Sequence, residues 1–370
     1  MKAHDHRPLV HPTWDPWLVG GFSLVVWALF LVLLRPAPTP LVTAAVFYLA
    51  FVANFPHFLL SYQILYGDYR KKLLSSWRFV WAAFLSPIMI GGCLVLGALH
   101  PDTGLMGICA QFMLFTVVWH AVKQIYGVMV VCGELAGNPI TPAERKWLLP
   151  NLYGLWIASW IFFNTGSRQS QFLNTVFPPV NLPTWAPTLS LLFLGVTGAG
   201  LAWVWTQKYI QTGRLVSPNG FLAFAAGYAW YLPVLYHPSF ILLTPFFHAI
   251  QYMPFVYRLR KGRTEDSTRG QSPSQKRAQE VRNVWAYFAI AILGGVFFLD
   301  WLPKRLDVWL AQTSTSILTF QMLGAVNIFV NLHHYFIDNV IWKGDIPEFR
   351  QHVLGRNTEP KESNLQIRAS

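Results

Sequence analysis

Charge is what this sequence has least of. Asp, Glu, Lys and Arg make up 12% of its 370 residues, about half the ~25% usual in a soluble chain. Cysteine is also scarce. Three are present and none forms a CxxC pair, which argues against a disulfide scaffold and a thiolate metal site. The long apolar stretches hold no Glu, and their two Asp residues, Asp300 and Asp338, lie toward the ends. Magnesium prefers oxygen ligands, so a magnesium-dependent lipid phosphotransferase or glycosyltransferase is disfavoured. The closely spaced HxxxH and HxxHH boxes of membrane desaturases and hydroxylases are missing as well.

Apolar residues fill the space that charge leaves. They are 54% of the chain and aromatics 16%, with 17 Trp and a mean hydropathy of +0.36. About 20 apolar residues of helix cross a bilayer. Ten stretches approach or exceed that length, at 17–34, 41–66, 78–98, 104–131, 147–165, 186–205, 219–236, 239–257, 283–301 and 314–338. They are continuous rather than alternating, and in lipid only helices and closed barrels satisfy the backbone. The expected fold is all-α, a polytopic integral-membrane bundle of about ten transmembrane helices. Residues 1–342 form one transmembrane domain with a basic cytoplasmic loop at 258–282, whose centre from Ser267 to Gln275 reads as flexible. Residues 343–370 form a polar cytoplasmic tail.

The net charge of +12 has a topological reading. With both termini on one side, twenty-three Lys and Arg fall on that side and four on the other. The positive-inside rule then makes the termini cytoplasmic, in a plasma membrane or bacterial inner membrane. The basic loops face anionic lipid headgroups, and nucleic acid is not an expected partner.

Eleven histidines are present. His4, His6, His11, His100, His237 and His352 lie in flanks, turns and the tail. His57, His120, His248, His333 and His334 lie inside apolar stretches, where ionisable residues are costly and face a protein interior. These five fall on the second, fourth, eighth and tenth helices, which all run in the same direction. His57 and His248 lie nine residues before their cytoplasmic ends, His120 eleven, and His333 and His334 five and four, all at the midpoint of their stretches or on its cytoplasmic side. Four helices bringing imidazole to one side of the bundle is what a buried metal or haem site requires. His333 and His334 point about 100° apart on one helix. His334 shares a face with Asn331 and Asp338 and is the favoured ligand of the two. Gln124 is one turn from His120 and Gln251 one turn from His248, so Asp338, Gln124, Gln251 and Asn331 are candidate supporting or catalytic groups. Asp338 is also a candidate direct ligand.

Imidazole suits iron, copper, zinc and nickel. A nitrogen-rich site within lipid, without thiolate, fits non-haem iron in O2 chemistry. The expected function is a histidine-ligated membrane oxidoreductase acting on a lipophilic substrate from the cytoplasmic leaflet, with an electron donor as a further partner. Single histidines on several spans resemble the plan of the bacterial membrane carotene dioxygenases. No motif is shared residue by residue, so no residue role is carried over. Two alternatives stay open: a bis-histidine haem b electron carrier, and a transporter with a histidine-lined site.

Overall fold

A computed structural model describes residues 7–33, 40–166, 171–173, 175–177, 180–232, 244–313 and 322–356. Helix dominates. The strands among the described residues are Gln171–Phe172 and Thr175–Val176, which pair antiparallel. The apolar stretches become α1 (Phe22–Leu33), α2 (Pro40–Tyr62), α3 (Trp77–Leu99), α4 (Leu105–Leu135), α5 (Pro142–Gly166), α6 (Ala186–Thr212), α7 (Pro218–Tyr231), α8 (Thr244–Ser267), α9 (Pro273–Gln312) and α10 (Met322–Ile341).

Among the described residues, four helices are long and apolar enough to cross a membrane: α3, α4, α6 and α9. That is fewer than the ten expected. The shortfall has physical causes. At 14 residues, α7 is about 21 Å long, short of the ~30 Å hydrocarbon layer. The second half of α8 is a run of Arg, Lys and acids. Both α1 and α10 adjoin stretches outside the described residues, and the expected turn at Tyr236-His237-Pro238-Ser239 lies outside them.

The expected basic loop at 258–282 is helical on both sides of a turn at residues 268–272. α8 runs on to Ser267 because Arg260 and Arg263 pair with Asp68 at 2.7 and 2.9 Å, and Arg260 also stacks on Tyr287. Gly270 turns the chain at φ +83°, a conformation that suits glycine. Ser272 then starts α9 with a reciprocal capping box to Gln275 and Pro273 in the first turn, both strong helix-start signals.

Four helices form the inner bundle. α2 packs on α8, α9 and α10, while α4 packs on α5, α7 and α10. The α2–α9 contact is close because Gly295 has no side chain: a Cβ there would lie 2.9 Å from the Phe55 Cβ. Pro56 follows, and its missing N–H opens the helix just before His57. Leu60, Ile64, Ile125, Val256, Ile328 and Ile337 are fully buried between these helices. Val95, Leu192, Val196, Ile290 and Leu293 point outward and are exposed, the arrangement a lipid-facing surface needs.

The two ends of the described chain meet at the end of α8. Arg258 donates to the carbonyls of Leu9, His352 and Val353 at 3.2, 2.9 and 3.1 Å, and Arg7 donates to Gly355 O at 3.2 Å. Nearby, Asp15 accepts the amide N–H groups of Leu9, Val10 and His11 at 2.6–3.0 Å.

Candidate metal centre

A different helix delivers each histidine of the centre. His57 follows Pro56 in α2, His120 lies midway along α4, His248 is in the early turns of α8, and His334 is in the second half of α10. One ring nitrogen from each lies within 4.8 Å of the others, and all four side chains are buried. Ring centroids are 4.4 Å apart for His57–His334, 4.7 Å for His120–His334, 4.8 Å for His57–His248 and 4.9 Å for His120–His248. His120 Nε2 and His334 Nε2 are 3.1 Å apart. Imidazole nitrogens bind a transition metal at about 2.0–2.1 Å, so two of them lie about 3 Å apart at a right angle and about 4.2 Å apart on opposite sides. Ligand atoms within 4.8 Å of one another are close to that range, so the group could hold one ion.

Asp338 completes the ring of donors. Its Oδ2 is 3.3 Å from His334 Nε2, 3.6 Å from His120 Nε2 and 4.0 Å from His57 Nε2. Its Oδ1 accepts from Ser61 Oγ at 2.8 Å and from Tyr252 OH at 3.3 Å. Ser61 and Tyr252 also bond each other at 2.6 Å, and Trp342 Nε1 donates to Tyr252 OH at 3.2 Å. The carboxylate is therefore pinned on one oxygen and turned toward the imidazoles with the other.

The residues fit a metal cation on three counts. Four ring nitrogens here are buried without a hydrogen-bond partner: His57 Nε2, His334 Nδ1 and both nitrogens of His248. Each such orphan costs about 1–3 kcal/mol. Second, the ion-pair neighbours of Asp338 among the described residues are histidines, so a bound cation would supply the charge a buried carboxylate requires. Third, His57 Nδ1 sits 3.3 Å from Asn54 Oδ1. The N–H belongs on Nδ1, which leaves the Nε2 lone pair facing the centre, the usual device for orienting a ligating histidine.

No family model, curated protein or solved structure matches the chain. What the centre can do follows from its own donor set.

The other predicted residues fall in distinct places. His333 lies outside the four-histidine group. Its Nε2–H donates to Ala82 O at 2.8 Å, so its Nδ1 accepts from Tyr62 OH at 2.7 Å, and both nitrogens are occupied. Gln124 donates to His248 O at 2.9 Å and to Gln251 Oε1 at 3.0 Å, and Gln251 donates to Val19 O at 2.5 Å. These amides tie α4, α8 and the N-terminal segment together rather than touching imidazole nitrogens. Gly20 permits that tie, because a Cβ there would lie 2.6 Å from Leu222 O. Asn331 donates to Asn327 O at 2.8 Å and accepts from Tyr335 OH at 3.3 Å. Tyr335 in turn stacks on His120 at 4.7 Å.

Two cavities flank the centre. The larger, about 440 Å³, has His120, Gln124, Tyr252, Tyr335 and Asp338 in its wall. The smaller, about 40 Å³, lies against His120, His248 and His334 and is otherwise lined largely by apolar side chains such as Phe58, Val118 and Ala121.

Sequence reasoning passed over Ser61 and Trp342 as parts of this site. The signal for Ser61 was present. Each of the four histidines has a polar residue four positions on: Ser61, Gln124, Tyr252 and Asp338. Four residues is one helical turn, so a second polar layer lies directly beneath the imidazoles. Trp342 lies beyond the end of α10 and carries no such spacing.

Proposed function

We propose that this chain is a multi-pass membrane oxidoreductase. A single metal, best read as non-haem iron, is held by His57, His120, His248 and His334 with Asp338 alongside, and the reaction uses O2 on a lipophilic substrate. The observation that carries the reading is the four buried imidazoles, with one ring nitrogen of each within 4.8 Å of the others; three of them, His57, His248 and His334, carry ring nitrogens with no hydrogen-bond partner. Nitrogen donors with one carboxylate and no thiolate match iron rather than a calcium or magnesium site. Iron at such a site supplies Lewis acidity and O2 activation.

The surroundings support the same reading. The 40 Å³ cavity has room for one small molecule beside three imidazoles, since one water needs ~10–15 Å³. Its largely apolar lining suits a diatomic gas. The 440 Å³ cavity is of substrate size, within the ~300–1,000 Å³ of small-molecule pockets. Tyr252 and Ser61 form a hydrogen-bonded path from Trp342 to Asp338, able to hold or pass a proton at Oδ1. His57 and His120 lie 6.4 Å apart with the rings of His248 and His334 each 4.4–4.9 Å from both, so the space between them is taken by imidazole, which favours a single ion over a macrocycle. For orientation, the excess of Lys and Arg on one side supports cytoplasmic termini, with substrate entering from that leaflet.

Elemental analysis and an absorption spectrum of the purified protein test the reading together. About one equivalent of iron without a Soret band is expected. Stoichiometric haem, or a protein fully active without metal, would overturn it.

A further inference from the structure

The 440 Å³ cavity carries a chemical signature at the end away from the imidazoles. Three cations reach its wall from three elements: Lys123 on α4, Arg145 in the first turn of α5, and Lys343 just beyond α10. None of them has a carboxylate within ion-pair distance among the described residues. Several neighbours at the same end of the bundle are matched, whereas others, such as Lys146, do not reach the cavity wall. Lys72 pairs with Glu348, Arg78 with Asp345, Lys208 with Glu144, and Arg356 with Glu134. Positive-inside topology accounts for the presence of basic residues, but not for three unpaired ones around one cavity.

Lys123 strengthens the case. It lies inside the apolar α4, one turn from His120, where a lysine is costly and usually serves a ligand or a pathway. Lys343 is pushed below the usual lysine range, first by burial and then by the nearby charges of Lys123 and Arg78. Lys123 and Lys343 therefore repel one another, and an anion between them would relieve that repulsion. The rest of the wall includes Trp119, Val128, Val131, Phe255, Phe349 and Leu354, an apolar lining. Asp338 is the one carboxylate among the lining residues, and its Oδ1 is held by Ser61 and Tyr252.

We propose that this cavity seats a single-chain amphiphile with an anionic head. The carboxylate or phosphate head lies against Lys123, Arg145 and Lys343, and the apolar body lies along the wall toward His120 and Asp338. The proposal names the substrate class of the metal centre and rests on that reading for its catalytic meaning.

The test is binding to the purified full-length chain in neutral detergent, measured with metal and again in chelator. The probe is a spin-labelled palmitate, whose immobilised fraction is read by electron paramagnetic resonance. Competitors share one chain length and differ in head: carboxylate, phosphate monoester, alcohol and quaternary ammonium. The two anionic heads are expected to compete at least about tenfold better than the alcohol, since a charge-assisted contact is worth ~1.5–3 kcal/mol. The ammonium head is expected to compete worst. Lys123→Gln with Lys343→Gln should erase the preference for anionic heads while leaving the alcohol unchanged. Arg145→Gln, at an exposed position, gives a smaller loss and guards against a misfolded double variant.

Equal competition by all heads would overturn the proposal, as would a double variant that keeps the anionic preference. Competition by diacyl phosphatidylglycerol as strong as by the single-chain acids would also overturn it, because the cations would then be reading bilayer headgroups. Inorganic phosphate alone should not compete, and displacement by it would mean a free-anion site. Because binding is measured with and without metal, the two readings separate. Anionic preference in a chain that binds no metal would sink the metal centre alone. Metal binding without that preference would sink this proposal alone.

Discussion

Replacing His248 by Leu should change stability in opposite directions with and without metal. In the metal-free protein this imidazole is 6% exposed and neither nitrogen has a partner. Leucine removes both orphans and is of similar size. The orphan cost is about 1–3 kcal/mol for each group, and an imperfect fit returns up to about 1.5 kcal/mol. The metal-free variant should therefore be as stable as the parent or more so. With metal the order reverses. At a free metal concentration 100 times Kd the parent gains about 2.7 kcal/mol. If losing one ligand of four weakens binding about 100-fold, the variant gains only about 0.4 kcal/mol at that concentration.

His333→Leu is the control, and it inverts the pattern. Both nitrogens of His333 are bonded, so the change strands Tyr62 OH, while Ala82 O keeps its bond from Ser86 Oγ. It should cost about 1–3 kcal/mol for the stranded hydroxyl, equally with and without metal, and leave the metal's contribution intact. Denaturant titration in mixed micelles, followed by tryptophan fluorescence in chelator and in metal, reads all four values. The reasoning fails if His248→Leu loses as much stability in chelator as in metal, or if His333→Leu loses its metal.

Three further outcomes are expected. Asp338→Asn should weaken metal binding about 10–100-fold, as loss of a supporting carboxylate does, while circular dichroism stays unchanged; unaltered affinity would remove Asp338 from the centre. Reporter fusions at residues 1, 270 and 370 should read cytoplasmic and one at residue 167 external, and an external residue 270 would reverse the orientation. The hydrogen bond from Arg78 to Asp345 at 2.6 Å holds that carboxyl below its usual range. A depressed value stabilises the fold above the unfolded pKa of about 3.9 and is lost as pH falls through the folded one. Acid titration of Asp345→Asn should therefore show a slightly shallower stability loss below about pH 4, small because the pair is exposed.

The fold was legible where composition dominates. An apolar chain with little charge must be helical in lipid, and the described part of each apolar stretch does fall on a helix. Crossing length was not legible, because it depends on where a helix ends. Arg260 and Arg263 extend α8 by pairing with Asp68 from another part of the chain, a contact no local pattern announces. The loop expected at 258–282 became helix for the same reason. The supporting amides show a similar limit. Gln124 and Gln251 stand one turn from histidines in sequence, but their partners are His248 O and Val19 O. Val19 comes from a segment whose approach depends on Gly20, more than two hundred residues away from Gln251.

The four-histidine group was the most legible part of the site, and helix geometry explains why. An ionisable residue inside an apolar stretch faces protein rather than lipid, so one inward histidine on each of α2, α4, α8 and α10, four helices running the same way, could be read directly. Facing direction needs a second residue on the same stripe. His334 had Asp338 at i+4 and His333 had no such partner, which is the distinction the bonds display: His334 faces His120 and Asp338, and His333 faces Tyr62 and Ala82. The same rule applied to all four helices places Ser61, Gln124, Tyr252 and Asp338 in one layer below the imidazoles. Three of these are hydrogen-bonded to one another. The fourth, Gln124, points instead to the Gln251 amide and the His248 carbonyl. That departure matters, because Gln124 then lines the large cavity where it meets Asp338 and His120. The polar layer is closed on three helices and faces the cavity on α4, beside Lys123, three residues on from His120.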